Sequence, residues 1–392
     1  MAEISRRQLL QSVPLGLAFA ALVACTDDSD RSSSSSSEDT NTGSDSSKAE
    51  KHRNVWRMPA EDLLHERTWM CWPSSEEVWG SDLKHVQDTI VDIALAIAEF
   101  EPVRLLARPE EVAPLRSELG EGIEVIEAPV DDLWARDTLP NFLVRTNDEG
   151  ARELGASHAR FNGWGGKQIH SGDALLAELV AANLGISLQP STLVGEGGGI
   201  EVDGRGSVLA AASSWVNENR NPGMSRAQVE AHILSMLGAD RMLWIDGLAG
   251  ADITDGHIDT LARFASSEII VIDKPAFEDP EDPWVQVAER TREQLTEART
   301  VSGKPYELIT MTQPENPRGS GDEFLATYMN FYVCNGAVIA PSFGDTSADD
   351  AARGFLAEHF HDREVVMIDI DPLAAGGGGI HCATQQQPSL ST

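Results

Sequence analysis

The feature that most constrains the fold is an alternation of short apolar strands and amphipathic helices that begins near residue 55. Residues 83–100 carry apolar side chains at three-four spacing, which predicts a helix, and the apolar run 103–106 predicts a strand. Around 190–216 and 306–343, predicted strands follow one another with no helix between them. The alternation predicts an α/β fold, and the paired strands predict mixed sheets in several small units.

The first 54 residues differ in composition from the rest of the chain. Arg6 and Arg7 precede an apolar run that is shorter than the ~20 residues a membrane-spanning helix needs, which is typical of a twin-arginine export signal. The run ends at Cys25 in a Leu-Val-Ala-Cys sequence that resembles a lipoprotein processing site. Residues 1–25 are therefore predicted to be an export signal with lipidation at Cys25, the alternatives being a plain signal peptide or an uncleaved anchor.

A serine-rich acidic segment, residues 26–54, follows the predicted signal and cannot bury a core. It is predicted to be a disordered linker that tethers one catalytic domain, residues 55–392, to the outer face of the cytoplasmic membrane. The lipid anchor is the only predicted membrane contact. The sequence leaves the oligomeric state open, a homo-oligomer included.

The net charge of −33 lies mostly in the predicted domain, because residues 1–25 carry +1 and residues 26–50 carry −5, which leaves −29 for residues 51–392. An acidic surface repels phosphates, so nucleic acid is excluded as a partner. The charge suits a cationic substrate, but solubility or adaptation to high salt alone explains it and is the preferred interpretation.

Three cysteines remain when Cys25 is set aside, and this odd number at scattered positions does not form a disulfide framework. Cys71 and Cys334 lie in apolar stretches and are interpreted as buried small hydrophobic residues. Cys382 instead follows the four-glycine run 376–379 and precedes a Thr-Gln-Gln-Gln stretch. Glycines let a backbone approach a ligand closely, so Cys382 is predicted to be a catalytic nucleophile.

Four other segments combine glycine or aromatic residues with charges that a surface loop does not need: 131–137, 161–167, 196–204 and 255–259. His257 can activate the thiol and carry protons. Asp137, Asp259 and Glu196 are acceptors when ionised, and a guanidinium matches them geometrically. If Asp259 continues a strand from His257, both side chains point to the same face.

Taken in order, these segments resemble the agmatine deiminase family, which groups with bacterial-type peptidyl-arginine deiminases in the guanidine-modifying superfamily. The resemblance covers about 57–388. It is carried by 58–61, 69–73, 134–137, 161–167, 196–199, 256–259, 330–332 and 377–388. It implies a five-bladed α/β propeller (pentein) of ββαβ units with pseudo-fivefold symmetry.

The resemblance also implies a mechanism with no metal or cofactor. Cys382 would attack the guanidinium carbon, and Asp137 and Asp259 would hold its nitrogens. His257 would protonate the departing ammonia and then activate water against a thiouronium intermediate, with Glu196 orienting His257 or contacting the substrate cation. The product would be a ureido compound, for agmatine N-carbamoylputrescine, a step of putrescine biosynthesis. Further predicted substrate contacts are Trp134, Gly378 and Gly379, the glycines leaving room for a planar group.

The chain departs from the family where Leu139 and Pro140 replace the usual Gly-Pro after Asp137. Leucine lacks glycine's dihedral freedom, so the loop behind Asp137 is expected to differ, which leaves the choice between agmatine and peptidyl-arginine open. Glu201 could face the site in place of Glu196.

Two other classes of function are weighed. A zinc hydrolase could use His257, Asp259, His381, Cys382 and Asp137 as ligands, but no pair has zinc-finger or HExxH spacing. A lipoprotein that only captures cationic ligands would not need the thiol.

Overall fold

The computed structural model describes residues 54–391. The predicted export signal, Cys25 and the linker up to residue 53 lie outside the described residues, so the interpretations of these segments stay predictions. Between residues 54 and 391, none of the helices combines the length and the apolar character required to cross a lipid bilayer.

Sixteen strands in the described range belong to five separate sheets. In chain order they are β1 (His65–Cys71), β2 (Val103–Ala107), β3 (Ile123–Glu127), β4 (Asn141–Thr146), β5 (Arg152–Ser157), β6 (Leu188–Gln189), β7 (Ile200–Val202), β8 (Ser207–Ala211), β9 (Arg241–Ile245), β10 (Ala262–Ser266), β11 (Ile269–Lys274), β12 (Glu307–Thr312), β13 (Tyr332–Cys334), β14 (Ala337–Ser342), β15 (Glu364–Asp369) and β16 (Thr384–Pro388).

Four of the sheets share one topology. In the sheets β4-β5-β6, β7-β8-β9, β10-β11-β12 and β13-β14-β15, the first two strands pair antiparallel and the last two pair parallel. A parallel pair needs a crossover connection, and a helix supplies it in each case. The repeating unit is therefore ββαβ, and the mixed sheets expected from the paired strands are present.

The remaining sheet joins the two ends of the described chain. Its order is β16-β1-β2-β3, with β16 antiparallel to β1 and the other pairs parallel. The C-terminal strand thus provides the first strand of a unit that the N-terminal part completes. Its glutamines are buried, and each side chain is hydrogen-bonded within the protein. The polar stretch after Cys382 is therefore an interior strand.

The helices of eight or more residues in this range are α1 (Leu83–Ala98), α2 (Pro109–Glu118), α3 (Leu176–Leu184), α4 (Arg226–Leu237), α5 (Pro283–Thr296) and α6 (Thr346–His359). The buried face of α1, which includes Val86 and Ile90, belongs to the apolar cluster that also contains Ile380 and Cys382. Packing of this helix therefore supports the segment that carries the predicted nucleophile.

One predicted strand is shorter than its apolar run suggested. The strand-like pattern at 207–216 gives β8 only as far as Ala211, and Ala212–Trp215 forms a helical turn. Trp215 is buried, and its indole Nε1 donates to the Gly199 carbonyl at 2.8 Å. The turn aims the ring at that loop, a tertiary interaction that strand periodicity does not encode.

Candidate active site

All five units contribute the segment just before their first strand to one buried cluster. Asp137 lies four residues before β4, Glu196 four before β7 and Asp259 three before β10. Asn330 lies two residues before β13, and Cys382 lies two residues before β16. Single helical turns at Ala135–Thr138, Gly197–Gly199 and Ile258–Thr260 lead into three of these strands. The repeat of the fold thus brings distant motifs to one place.

Cys382 lies inside this cluster with only 8% of its surface exposed. Its Sγ is 3.4 Å from Asp259 Oδ2 and 3.2 Å from Asn330 Nδ2. Burial, followed by the negative charges of Asp259 and Asp137, raises the pKa of the thiol well above its usual range. A bound cation beside the sulfur would oppose this effect.

One ring nitrogen of His257 is hydrogen-bonded, and the other has no hydrogen-bond partner. Its Nε2 lies 3.2 Å from Glu196 Oε2, whereas Nδ1 is buried without a hydrogen-bond partner and lies 3.8 Å from Asp137 Oδ1. Burial lowers the pKa of His257, but the charge of Asp137 and the hydrogen bond and charge of Glu196 outweigh it and raise the pKa to about 9. The ring is therefore a proton donor at neutral pH.

Asp137 is held by two donors that fix its carboxylate. Gly198 donates its backbone N–H to Oδ1 at 2.9 Å, and Trp164 donates its indole N–H to Oδ2 at 2.9 Å. Trp164 reaches it from a left-handed backbone conformation, φ 53°, which costs ~1–3 kcal/mol in a non-glycine residue and is typical of functional loops. Burial raises the pKa of Asp137, and Glu196 and Asp259 add to that effect against the charge of His257.

Gly198 lies where three charged side chains of the cluster converge. A Cβ at this position would come within 2.7 Å of His257 Nδ1, 2.8 Å of Asp137 Oδ1 and 3.2 Å of Asp259 Oδ2. Any larger residue would fill the space between these three groups. The glycine run 197–199 therefore keeps room at the point where the charged groups converge.

Asp259 is the third polar wall of the site. His381 donates from Nδ1 to its Oδ2 at 2.8 Å, and its Oδ1 is buried without a partner. Burial raises the pKa of Asp259, but the hydrogen bond and charge of His381 and the charge of His257 lower it overall. The residue lies on a helical turn that follows His257, not on the expected strand, yet both side chains lie close to Gly198.

Glu196, and not Glu201, contacts His257. Glu196 is clamped between His257 and Arg220, whose Nε donates to Oε1 at 2.7 Å. Glu201 instead forms an ion pair with Arg263 and lies 3.9 Å from His381. The geometry thus resolves the choice that the sequence left open.

The sequence analysis missed the residues that hold this cluster in position. Glu61 receives hydrogen bonds from Arg263, Arg136 and the Val333 N–H, and its Oε2 lies 2.9 Å from His381 Nε2. Arg136 therefore makes a buried ion pair with Glu61. The similarity of 58–61 to a family motif was the only available signal for Glu61.

Protein side chains occupy the space beside the glycines that precede Cys382. A Cβ at Gly378 would lie 2.2 Å from the Trp134 ring, and a Cβ at Gly379 would lie 2.6 Å from Asn330 Oδ1. Trp134 is 7% exposed and its ring centre is 6.0 Å from that of Trp79. Trp134 is thus a wall of the cluster, and contact of these three residues with a substrate stays a prediction.

Leu139 occupies the position of the departure from the family pattern. Its backbone is extended, with φ −90° and ψ 165°, a conformation that any residue adopts. The side chain is buried in an apolar cluster that also contains Phe142 and Cys71. Leucine at this position therefore contributes to the core behind Asp137 without backbone strain.

The other cysteines behave as the sequence analysis predicts. Cys71 and Cys334 are buried, and burial raises the thiol pKa of both. Within residues 54–391, no three His, Cys, Asp or Glu side chains are arranged to hold a metal ion.

The arrangement favours a planar cation with several N–H donors. The buried Asp259 Oδ1 lacks a partner, and because buried polar groups are almost always satisfied, an N–H donor fits there. Asp137 and Asp259 supply negative charge, and the Cys382 thiol lies 3.4 Å from Asp259 Oδ2. A guanidinium can satisfy the carboxylates while its carbon faces the sulfur.

Comparisons with known proteins agree with this chemistry. The sequence model of the Porphyromonas-type peptidyl-arginine deiminases matches residues 57–388. Agmatine deiminase of Medicago truncatula is 32% identical over 364 residues, covering 86% of this chain and 97% of the relative. Agmatine deiminase of Pseudomonas aeruginosa is 32% identical over 357 residues, covering 85% and 96%. The solved structure of Enterococcus faecalis agmatine deiminase superposes with a TM-score of 0.79 at 28% identity, covering 87% of this chain and 97% of that one.

Proposed function

The chain belongs to the Porphyromonas-type peptidyl-arginine deiminase family, and on this premise we propose that it hydrolyses the guanidinium group of agmatine to N-carbamoylputrescine and ammonia. It is then a hydrolase of linear amidine C–N bonds that serves putrescine biosynthesis. The observation that carries the proposal is the carboxylate of Asp259, whose buried Oδ1 has no partner and whose Oδ2 lies 3.4 Å from Cys382 Sγ. The agmatine deiminases among its relatives support the choice of substrate.

The proposed first half-reaction uses the protonated form of His257. Asp137 and Asp259 bind the guanidinium nitrogens, and the positive charge of the substrate favours the Cys382 thiolate. The sulfur attacks the guanidinium carbon, forming a C–S bond while one C–N π pair moves onto nitrogen. His257 gives its proton to the departing nitrogen, the C–N bond breaks, and ammonia leaves a cationic thiouronium on the enzyme.

The second half-reaction regenerates the enzyme. Neutral His257, oriented by Glu196, takes a proton from a water molecule that attacks the same carbon. The C–S bond breaks, its electron pair returns to Cys382, and loss of one proton to solvent gives the ureido product. A His257 pKa of about 9 suits both roles, because the ring is protonated at the start and is a competent base once it has given its proton away.

Ammonia release from purified protein incubated with agmatine, free arginine or an arginyl peptide tests the proposal. We expect release from agmatine, with the ureido product identified by mass spectrometry, and none from Cys382→Ser. Absence of release from all three substrates would refute a deiminase, and full turnover by Cys382→Ser would refute the covalent route. Faster release from the peptide would make peptidyl-arginine the substrate; the deep burial of Cys382 and Asp137 favours the small molecule.

The five ββαβ units support a five-bladed propeller with pseudo-fivefold symmetry around the site. Four ββαβ sheets, and a fifth that begins with the same strand pairing and adds β3, each place the segment before their first strand in one cluster, which fits such an arrangement. The solved structures of relatives on which the chain superposes well can be inspected directly for this arrangement of five sheets. An experimental structure in which the five sheets do not surround Cys382 would overturn this assignment.

Export and anchoring are proposed from the N-terminal sequence. The paired Arg6 and Arg7, the short apolar run and Cys25 support an exported enzyme held at the outer face of the cytoplasmic membrane by lipid. In the producing organism, Cys25→Ser should move the enzyme from the membrane fraction to the medium or the unprocessed precursor pool. Retention of mature protein in the membrane would exclude a lipid on Cys25.

A further inference from the structure

Asp255 is a buried carboxylate that the chemistry described above does not use, although it lies in the segment 255–259 that the sequence analysis singled out. It lies two residues before His257, and 3% of its surface is exposed. Its backbone is left-handed, with φ 64°, a conformation that costs free energy in a residue other than glycine and is retained where the surrounding structure requires it. Burial and strain in one charged residue point to a role beyond local packing.

We propose that Asp255 is a positioning residue that holds Glu196 against His257 through the guanidinium of Arg220. Arg220 Nη1 donates to Asp255 Oδ2 at 2.9 Å, and Arg220 Nε donates to Glu196 Oε1 at 2.7 Å. The other oxygen of Glu196, Oε2, lies 3.2 Å from His257 Nε2. One guanidinium therefore bridges two carboxylates, and the inference rests on the proposed function, in which Glu196 orients the proton carrier.

The bridging guanidinium has little freedom to move. The Arg220 side chain is completely buried, and its third nitrogen, Nη2, donates to the Thr254 carbonyl at 3.2 Å. Nη1 also donates to Asn219 Oδ1 at 2.9 Å. Because the guanidinium is planar and all three of its nitrogens donate, it cannot rotate without losing these hydrogen bonds. The contact with Asp255 thus helps to fix where Nε meets Glu196.

Donors from three loops converge on the carboxylate of Asp255. Besides Arg220, Lys167 donates from Nζ to Oδ2 at 2.8 Å and Asn219 donates from Nδ2 to the same oxygen at 3.0 Å, while the Gly250 N–H donates to Oδ1 at 2.9 Å. Burial raises the pKa of Asp255, but the hydrogen bonds of Lys167 and Asn219 and the charge of Lys167 lower it overall. The carboxylate is therefore ionised across the pH range in which His257 titrates.

The charges along the bridge explain why a second carboxylate matters. If Glu196 were the only partner of Arg220, the positive charge of the guanidinium would oppose protonation of His257. Asp255 takes part of this pairing, so Glu196 keeps negative charge toward the ring. The other charged side chains that face His257 are two carboxylates that raise its pKa as Glu196 does: Asp137 and Asp259. Loss of the Asp255 charge should therefore lower the pKa of His257 and leave these two carboxylates in place.

The test follows the His257 ring and not turnover, so it does not depend on the identity of the substrate. In protein labelled with ¹⁵N-histidine, the His257 signals are assigned by their absence from His257→Gln and titrated from pH 6 to 10.5 without substrate. Asp255→Asn removes the charge and keeps the shape, and asparagine tolerates the left-handed backbone. We expect the His257 midpoint to fall by about 0.5 pH unit or more from its wild-type value of about 9.

The kinetics of Asp255→Asn should follow the titration. The alkaline limb of kcat/KM for agmatine should move by the same amount as the His257 midpoint, with KM at pH 7 unchanged because Asp137 and Asp259 still bind the cation. An unchanged midpoint in folded Asp255→Asn, judged by circular dichroism, would overturn the inference.

A double variant tests whether the effect passes through Glu196. Because Glu196→Gln removes the group that the bridge positions, adding Asp255→Asn to it should move the His257 midpoint no further. Shifts that add in the double variant would mean that Asp255 acts on the ring directly, and the bridge would be refuted.

Asp252→Asn is the matched control in the same loop. The Asp252 carboxylate caps the loop backbone, its Oδ1 accepting from the N–H groups of Thr254 at 2.7 Å and Gly256 at 3.2 Å. The same substitution there should leave the His257 midpoint unchanged, because the bridge through Arg220 remains. An equal fall in both variants would assign the effect to the loop and overturn the inference.

If Asp255→Asn does not fold, the wild-type protein still decides. In protein labelled with ¹⁵N-arginine and assigned with Arg220→Lys, a guanidinium held at both ends should give separate Nη signals, and its Nε signal should change at the His257 midpoint. Averaged Nη signals, or an Nε signal that does not follow His257, would overturn the inference. A lowered midpoint in Asp255→Asn without ammonia release from any guanidine would instead leave Asp255 in its role and refute the proposed substrate.

Discussion

Two buried histidines occupy similar surroundings in this protein but differ in how completely they are bonded. His65 places Nδ1 3.1 and 3.2 Å from the two oxygens of Glu101 and Nε2 2.8 Å from the Glu61 carbonyl. His257 places Nε2 3.2 Å from Glu196, and its Nδ1 has no partner. Both are nearly inaccessible to solvent, with 5% and 1% of their surfaces exposed.

The difference separates two hydrogen-bond networks. The one around His65 and Glu101 is closed and structural, and the one around His257 and Asp259 is open and reactive. Glu101 also accepts from Thr68 and from the Asn335 N–H, and no atom of this network is among the unsatisfied buried atoms of residues 54–391. Around His257, an atom of Asp259 is unsatisfied as well. Leaving a buried polar atom unpaired costs ~1–3 kcal/mol, so the open network is retained where a ligand completes it. Burial and a carboxylate partner alone do not identify a catalytic histidine.

The largest contrast should come from replacing each histidine with glutamine. We expect His257→Gln to lower kcat for agmatine by ~10²–10⁴-fold, because the proton carrier is lost while little packing changes. His65→Gln should retain turnover per folded molecule and lower the free energy of unfolding by ~1–3 kcal/mol, because Glu101 loses its partner.

Steady-state ammonia release and urea unfolding of both variants measure this contrast. The wild-type protein is the reference for both. If His65→Gln lost as much turnover as His257→Gln without unfolding, the completely bonded network would be part of the active site and the comparison would fail.

Ligand binding should complete the open network and leave the closed one unchanged. In Cys382→Ala, which cannot turn over, agmatine at about 100 times its Kd should raise the free energy of unfolding by about 2.7 kcal/mol. Adding Asp259→Asn should remove most of this increment, since one carboxylate that pairs with the cation is gone. Adding Glu101→Gln should lower the starting stability but keep the increment, and an equal loss in both double variants would contradict the assignment of the substrate site.

The pH dependence of kcat/KM should show whether Glu196 raises the pKa of His257. The reaction needs protonated His257 for ammonia to leave, so kcat/KM should fall as pH rises through its pKa of about 9. Because the hydrogen bond and charge of Glu196 raise that pKa, Glu196→Gln should move the alkaline limb to lower pH by about one unit. Glu101→Gln, the same change beside His65, should leave the limb in place. A limb that stays near 9 in Glu196→Gln would assign it to another group.

The clustering of the polar residues around His257 could be predicted because their residue types suit guanidine chemistry and their motifs, taken in order, resemble those of the deiminase family. Cys382, His257, Asp137, Asp259 and Glu196 are brought together as expected, since thiol, imidazole and carboxylate are the groups that guanidine hydrolysis requires. The mixed α/β sheets also followed from strand pairs that no helix separates. These features are encoded in local residue type and spacing.

The supporting residues could not be predicted because they act across the chain. Glu61 reaches His381 over 320 positions and Arg263 over 202, and apart from its place in the family-like motif 58–61 nothing distinguishes it from other glutamates of an acidic chain. His65 and Glu101 likewise become a pair only when β1 and the end of α1 come together. The turn at Ala212–Trp215 was missed for the same reason, since a tertiary contact of Trp215 overrides a strand-like pattern.

The smallest expected effect lies within the closed network, where removing one hydroxyl should cost stability and nothing else. Tyr332 places its hydroxyl 2.9 Å from Thr68 Oγ1 and 3.4 Å from His65 Nδ1. Tyr332→Phe should lower the free energy of unfolding by about 1 kcal/mol in urea titrations, with kcat and KM unchanged. Because the two hydroxyls contact each other, the effects of Tyr332→Phe and Thr68→Val should not add in a double-mutant cycle, the coupling being ~0.5 kcal/mol or more. Additive effects would mean that the network is a set of independent contacts, and the contrast with the open site would then rest on His257 alone.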